Sequence, residues 1–198
     1  MLHASHRPIA LAALAWALFA SPASADPPPS RAALEQMLGG FEEGASLSQL
    51  RALPGAASAT LLDIANDPAA PLFVRARAVY GLRAFTAPGV APTVQSALRA
   101  VALSAGADPL LRRAALDALA EGHGDLGAAR TLLGGADPSM REAAGWTLSR
   151  SADPSARPAL SAQLQRERDP AVARSLRDAL GVPTPTAPTV TPPGAVTR

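Results

Sequence analysis

The dipeptide Asp-Pro recurs along this chain, each time ahead of a segment rich in Ala and Leu. Four copies begin at Asp67, Asp108, Asp137 and Asp169, at intervals of 41, 29 and 32 residues. Two others begin at Asp26, in a Pro-rich lead-in, and at Asp153, before an outer helix. Aspartate is a favoured helix N-cap because its carboxylate accepts hydrogen bonds from free amides at the positive end of the helix. Proline suits the first helical position, where its missing N–H would have had no partner. The recurrence therefore predicts the same kind of helix at four places in the chain.

These helices each carry a narrow apolar stripe. In the helix that begins at Pro109, apolar side chains recur at intervals of 3, 4, 7 and 8 residues: Leu111, Ala114, Ala115, Ala118 and Leu119. The corresponding residues of the helix after Asp137 are Met140, Ala143, Ala144, Thr147 and Leu148. Such a stripe lies on one helix face and is too narrow to be buried by itself. Two helices per period of about 30–40 residues indicate helical hairpins that stack and share a continuous core.

The pattern Asp-Pro-x-x-Arg followed by an Ala/Leu stripe resembles the second helix of a HEAT-type repeat. It is most similar to the short bacterial form named after phycobilisome lyases, and the resemblance covers residues 57–181. It implies an all-α, right-handed α-solenoid of four stacked antiparallel hairpins, or five if the segment ending at Leu53 is a divergent repeat. The resemblance is specific for fold and nearly silent on function.

The resemblance also implies a ladder of arginines. In that family the Arg after Asp-Pro pairs with an Asp of a neighbouring repeat, and by position those arginines are Arg75, Arg112 and Arg141. Two copies depart from the pattern, because residues 69–73 are inserted before Arg75 and the last copy has Ala173 in place of the Arg. We therefore expect an incomplete ladder.

The two ends of the chain differ in composition from its middle. An apolar run of 13 residues, Pro8 to Ala20, is followed by Ala23-Ser24-Ala25, which predicts a signal peptide over residues 1–25 and cleavage after Ala25. The run is shorter than the ~20 residues that span a bilayer, so we expect no membrane anchor after cleavage. Residues 26–55 are predicted to form an N-terminal helical cap or divergent repeat, 56–181 the repeat domain, and 182–198 a disordered Pro/Thr-rich tail. We expect a periplasmic or secreted protein.

Composition removes most kinds of catalytic and nucleic-acid chemistry. All 18 basic residues are Arg, Cys is absent, and His123 is the one histidine beyond the predicted signal peptide. Schiff bases, thiolate nucleophiles and clustered His ligands are therefore excluded. The net charge is only +2, and arginines alternate with acids, so there is no phosphate-binding stripe and we expect no nucleic-acid partner. We also expect no cofactor and no resident metal.

One chemical alternative lies in the segment Glu121-Gly-His-Gly-Asp125. Glu121, His123 and Asp125 alternate along it and could gather around one metal ion. The competing interpretation is a polar turn between helices, in which the two glycines provide the bend and Asp125 caps the next helix. Asp117 and Glu121, four residues apart, are a second alternative as an acid/base pair, against a solvated helix face.

The position six residues after the start of each stripe suggests a binding surface. It is occupied in the four second helices by Tyr80, Asp117, Trp146 and Asp178. Six helical steps rotate about 240° away from the stripe, so these side chains are predicted to leave the core. The resemblance places them on the concave side of the solenoid. Exposed aromatic side chains are common interface anchors, although a slightly rotated helix would bury Trp146 between repeats.

The sequence therefore favours an exported, non-enzymatic HEAT-repeat scaffold that binds another protein, of unknown identity, through its second helices. Two alternatives remain. One is an enzyme accessory or metal-dependent activity that uses the Glu121/His123/Asp125 loop. The other is a structural envelope protein whose Pro/Thr tail is a spacer.

Overall fold

The computed structural model describes residues 28–40 and 45–183, and all regular structure in these ranges is helical. The helices are α1 (Arg31–Gly39), α2 (Leu47–Arg51), α3 (Ala57–Asn66), α4 (Leu72–Gly81), α5 (Ala91–Leu103), α6 (Pro109–His123), α7 (Gly127–Leu133), α8 (Pro138–Ser149), α9 (Ala156–Arg166) and α10 (Pro170–Leu180). A 3₁₀ turn, Leu82–Ala84, follows α4 directly. The predicted signal peptide and nearly all of the predicted tail lie outside the described residues.

The helices pair in chain order into four hairpins, α3–α4, α5–α6, α7–α8 and α9–α10. The second helices α4, α6, α8 and α10 pack side by side in that order, and α5, α7 and α9 form a second row. The predicted all-α solenoid of helical hairpins is confirmed. No helix in the described part of the chain is both long enough and apolar enough to cross a membrane.

The stripes that the sequence predicts meet between the hairpins. Leu111, Ala115 and Leu119 of α6 are buried, and so are Met140 and Leu148 of α8. These residues belong to one continuous apolar cluster that extends through the hairpins. Alanine within the stripes allows neighbouring helices to approach closely, so the stacked hairpins share a core that none of them could form alone.

Three of the four aspartates predicted to cap second helices lie at a helix start. The carboxylates of Asp108, Asp137 and Asp169 accept hydrogen bonds from backbone N–H groups in the first turns of α6, α8 and α10. The prediction for Asp67 is wrong, because α4 begins only at Leu72 and has no side-chain cap. The inserted residues separate Asp67 from the helix, and its Oδ1 instead accepts a bond from Ala69 N at 2.8 Å, which closes a turn.

The motif arginines bind carbonyl groups at the ends of the preceding helices or in the turn just after them. Arg75 Nε donates to Ala65 O at 3.0 Å, and Arg112 Nε donates to Ala102 O at 3.1 Å. Arg141 Nη1 likewise donates to Gly135 O and Ala136 O. These carbonyls have no partner within their own helix or turn, so the arginines supply the missing donors. Carbonyl binding is thus the role that all three arginines share.

Pairing with the neighbouring repeat is less regular than the resemblance implies. Arg112 Nη1 lies 3.2 Å from Asp137 Oδ2, as expected. Arg141 pairs with Glu167 instead of an Asp-Pro aspartate, because the longer Glu167 side chain comes from the loop just before α10. Arg75 forms no ion pair among the described residues. The expected ladder therefore has one rung of the predicted kind.

Candidate interaction surface on the second helices

The exposed faces of α4, α6, α8 and α10 form one surface, which we call the second-helix face. The four residues that the sequence selected for it, Tyr80, Asp117, Trp146 and Asp178, occupy corresponding positions on these adjacent helices. Trp146 is 42% exposed, whereas Gly145 and Thr147 beside it are buried. The rotation of α8 therefore turns the indole outward and places it on the surface, not in the seam between repeats.

Tyr80 is less available than the sequence predicts. Its hydroxyl donates to Glu121 Oε2 at 2.6 Å, and the Arg83 guanidinium lies over its ring, 3.7 Å from the centroid. Arg83 also donates to the Tyr80 hydroxyl and to Glu121 Oε2. Burial, with a contribution from the Glu121 hydrogen bond, raises the pKa of Tyr80 to about 12. The phenol is therefore a protonated donor committed to Glu121, and its ring is not a free anchor.

Asp117 is also engaged within the protein. Its Oδ1 accepts hydrogen bonds from Arg150 Nη2 at 2.5 Å and from Thr147 Oγ1 at 3.2 Å. Arg150 Nη2 lies 3.8 Å from Glu121 Oε1 as well. Arg83, Glu121, Arg150 and Asp117 thus form a chain of alternating charges that links α4, α6 and α8. Asp178, in contrast, is exposed and has no ion pair among the described residues.

Two hollows open between α6 and α8. One, of about 270 Å³, is lined by Arg113, Asp117, Glu142, Ala143, Trp146, Thr147 and Arg150. The other, of about 350 Å³, is lined by Ala120, Glu121, Gly124, Leu126, Thr147, Arg150, Ser151, Ala152 and Asp153. Arg150 and Thr147 contribute to both hollows. The two hollows therefore adjoin each other at these two side chains.

The segment from Glu121 to Asp125 does not gather its three polar side chains. Glu121 is bonded to Arg83 and Tyr80, whereas Asp125 pairs with Arg99 Nε at 2.6 Å and caps Gly127 N at 2.9 Å. His123 Nδ1 faces Gln95 Nε2 at 3.4 Å. Across residues 28–40 and 45–183, no group of three or more His, Asp or Glu side chains is placed to hold a metal ion. The geometry is that of a helix end and turn.

The two glycines in this segment are needed for different structural reasons. Gly124 adopts φ +62° and ends α6, a conformation that glycine reaches without strain. Gly122 lies inside α6, and a Cβ there would stand 2.4 Å from the carbonyl oxygen of Arg83. Gly122 therefore allows α6 to touch the 3₁₀ turn after α4. His123 is half-buried beside it, and burial lowers the pKa of His123 and favours the neutral imidazole.

A comparison with models of known protein families finds a match within the repeat region. Residues 97–181 match the family of HEAT repeats. This stretch covers the second half of α5 and all of the helices from α6 to α10, and over it the chain is similar to HEAT repeats. HEAT repeats generally serve as protein-interaction scaffolds, and the family is typically non-enzymatic. The comparison with curated proteins found no match.

Sequence reasoning missed the arginines that contact the predicted residues of the second-helix face. Arg83 follows Tyr80 by three residues, Glu121 follows Asp117 by four, and Arg150 follows Trp146 by four. Side chains three or four residues apart lie on the same helix face, so this spacing was a usable signal. The lateral pairing of these groups across helices required the structure, because Arg83 and Glu121 are 38 residues apart in the chain.

Proposed function

We propose that this chain is an exported, non-enzymatic scaffold that binds another protein through the second-helix face. The observation that carries the proposal is the exposed indole of Trp146, which stands beside two arginines in a hollow between α6 and α8. Trp and Arg are the residue types in which binding energy concentrates at protein interfaces. Isolated exposed apolar residues are common, whereas an exposed indole within a groove that also presents guanidinium groups is the arrangement of an interface anchor.

The surroundings of Trp146 support a preorganised surface. The second helices pack side by side on one continuous apolar cluster, so their exposed faces keep a fixed spacing. A binding surface that is ordered before the partner arrives loses less conformational entropy on association. Stacked repeats provide this kind of rigid, extended surface. Rigidity and an exposed anchor together favour binding over catalysis.

Replacing Trp146 with alanine is expected to weaken partner binding by about 2 kcal/mol while the protein remains folded. The loss arises because the indole makes its contacts with the partner, whereas it is only partly packed within the protein. The partner is first identified by affinity capture from the envelope fraction, and its dissociation constant is then measured for each variant by calorimetry.

Leu103→Ala is the matched control. Leu103 is 44% exposed, close to the value for Trp146, but it lies at the end of α5, a first helix. We expect the control to bind the partner normally. Normal binding by Trp146→Ala, or an equal loss in both variants, would place the interface elsewhere.

Export is tested separately. The protein isolated from the envelope of the native cell is expected to begin at Asp26, because signal peptidase cleaves after small residues such as Ala23-x-Ala25. Edman sequencing or intact-mass measurement decides this. Folded protein that retains Met1 and stays with the cytoplasmic fraction would contradict export and leave the binding proposal unaffected.

A further inference from the structure

His123 lies where α5, the end of α6 and the 3₁₀ turn after α4 meet. It is the last residue of α6, and it is half-buried. Its Nδ1 faces Gln95 Nε2 of α5 at 3.4 Å, and its Nε2 is buried without a hydrogen bond of normal geometry in the described part of the chain. The residue before it, Gly122, packs against the backbone of Arg83. A change in the charge of this imidazole therefore affects three elements.

Gln95 determines which form of the imidazole fits. Its amide oxygen accepts a hydrogen bond from Arg99 Nη2 at 3.2 Å, and a guanidinium can only donate. The amide nitrogen of Gln95, which is a donor, is thereby turned toward His123 Nδ1. This ring nitrogen must accept, so the imidazole is neutral and carries its one proton on Nε2.

Protonation of His123 is incompatible with this arrangement. An imidazolium donates from both ring nitrogens, so its Nδ1–H would face the amide N–H group of Gln95. If the amide turned its oxygen to His123 instead, its nitrogen would face the Arg99 guanidinium. In either case one donor loses its acceptor, and an unpaired donor that is shielded from water is costly.

The charges around His123 do not offset this cost. Arg99 of α5 opposes protonation, whereas Asp125, in the turn before α7, and the nearby Leu82 carbonyl favour it. Arg99 and Asp125 are paired with each other at 2.6 Å. Burial is the main cause that lowers the pKa of His123 below its ordinary 6.5. The other charged groups at this end of α6 interact with one another: Glu121 of α6, Arg83 of the 3₁₀ turn and Arg150 of α8.

We propose that His123 is a pH-sensitive contact, which holds the end of α6 against α5 and the 3₁₀ turn only while its imidazole is neutral. A histidine whose pKa is lower in the folded state stabilises the fold fully above the ordinary 6.5, and that effect is lost as the pH falls below it. Mild acid therefore loosens the last turn of α6 from the backbone of Arg83. This inference goes beyond the proposed function, and it concerns the packing that sets the spacing of α4 and α6 in the second-helix face.

Nitrogen-15 NMR of the imidazole tests the proposal on the full chain carrying His3→Gln and His6→Gln, which leaves His123 as its single histidine. The neutral ring should show the tautomer with its proton on Nε2, and titration should give a pKa below 6.5. In Gln95→Glu a carboxylate faces Nδ1 and accepts from the imidazolium, so the pKa should rise above 6.5. Gln165→Glu adds the same charge at an exposed position of α9 and should leave the pKa unchanged.

Hydrogen exchange measures the loosening. Protection of the amides in the last turn of α6 and in the 3₁₀ turn, corrected for intrinsic exchange, should fall several-fold from about pH 7.5 to about pH 5.5. In His123→Gln, which does not gain a proton, protection should stay constant. A neutral ring protonated on Nδ1, a parent pKa at or above 6.5, equal pKa values in Gln95→Glu and Gln165→Glu, or the same loss of protection in His123→Gln would overturn the proposal. The proposed function fails separately, if Trp146→Ala retains the captured partner.

Discussion

Replacing Glu167 with alanine is expected to lower the free energy of unfolding by about 3–5 kcal/mol, because it leaves the mostly buried Arg141 without its carboxylate partner. The Glu167 side chain is only 2% exposed, and its two oxygens each accept one hydrogen bond from Arg141 at 2.8 Å. The same carboxylate accepts bonds from Gln163 Nε2 and from the backbone N–H groups of Arg168 and Asp169. It therefore joins α8, α9 and the start of α10. Urea denaturation followed by circular dichroism measures the loss.

Asp153→Ala is the control for this variant. Asp153 also pairs with an arginine, Arg130, but both side chains are exposed to solvent. Exposed pairs of that kind add little stability, so the control should lose far less stability than Glu167→Ala. A Glu167→Ala variant as stable as Asp153→Ala would show that the last two hairpins are held by apolar packing alone.

Acid should remove the contribution of Glu167 without any substitution. Hydrogen bonds from Arg141 are the main cause that lowers the pKa of Glu167 to about 2 from an ordinary 4.5. A carboxyl whose pKa is lower in the folded state stabilises the fold fully above pH 4.5 and loses that effect as the pH falls toward 2. The shift corresponds to about 3 kcal/mol. The difference in unfolding free energy between parent and Glu167→Gln should shrink over this range, and a constant difference would contradict the assignment.

The helices themselves were predictable from sequence because their start signals are local. Asp-Pro followed by a stripe at helical spacing predicts α6 from Pro109 and α8 from Pro138, and the structure begins both helices there. Helix ends are harder to predict: one interpretation of Glu121 to Asp125 was a turn between helices, whereas α6 continues to His123. Its end is set by Gly124 in a left-handed conformation, and the sequence does not show which of two nearby glycines adopts it.

The position of the candidate surface was predictable from sequence, but the side-chain contacts within it were not. Helical rotation from the stripe places Trp146 outside the core, and the structure agrees with that geometry. Tyr80 and Asp117 are not free to bind a partner, because Arg83 and Arg150 contact them. Helix packing brings these arginines into place. The N-cap prediction for Asp67 was wrong because inserted residues separate the Asp-Pro dipeptide from the start of α4. Lateral contacts between repeats are long-range, and no local pattern encodes them.

Gly122→Ala is expected to lower the free energy of unfolding by about 3 kcal/mol, although alanine favours helices. The added Cβ would stand 2.4 Å from the carbonyl oxygen of Arg83 and 2.6 Å from its Cα. These are backbone atoms of the 3₁₀ turn, which cannot turn aside as a side chain can. The methyl group would therefore push α6 away from the end of α4. Thermal and urea denaturation measure the cost.

Two other helical glycines separate this steric effect from helix propensity. At Gly39, the last residue of α1, an added Cβ meets nothing within 4 Å, so Gly39→Ala should be neutral or slightly stabilising. At Gly145 the Cβ would meet Leu176 Cδ2 at 2.8 Å, the end of a flexible side chain, and we expect a smaller loss than at Gly122. Because the displaced turn carries Arg83, Gly122→Ala should also disturb the Tyr80–Glu121 hydrogen bond and weaken partner binding. A Gly122→Ala protein as stable as Gly39→Ala would mean that α6 and the turn can separate freely, and that their contact does not fix the spacing of the second helices.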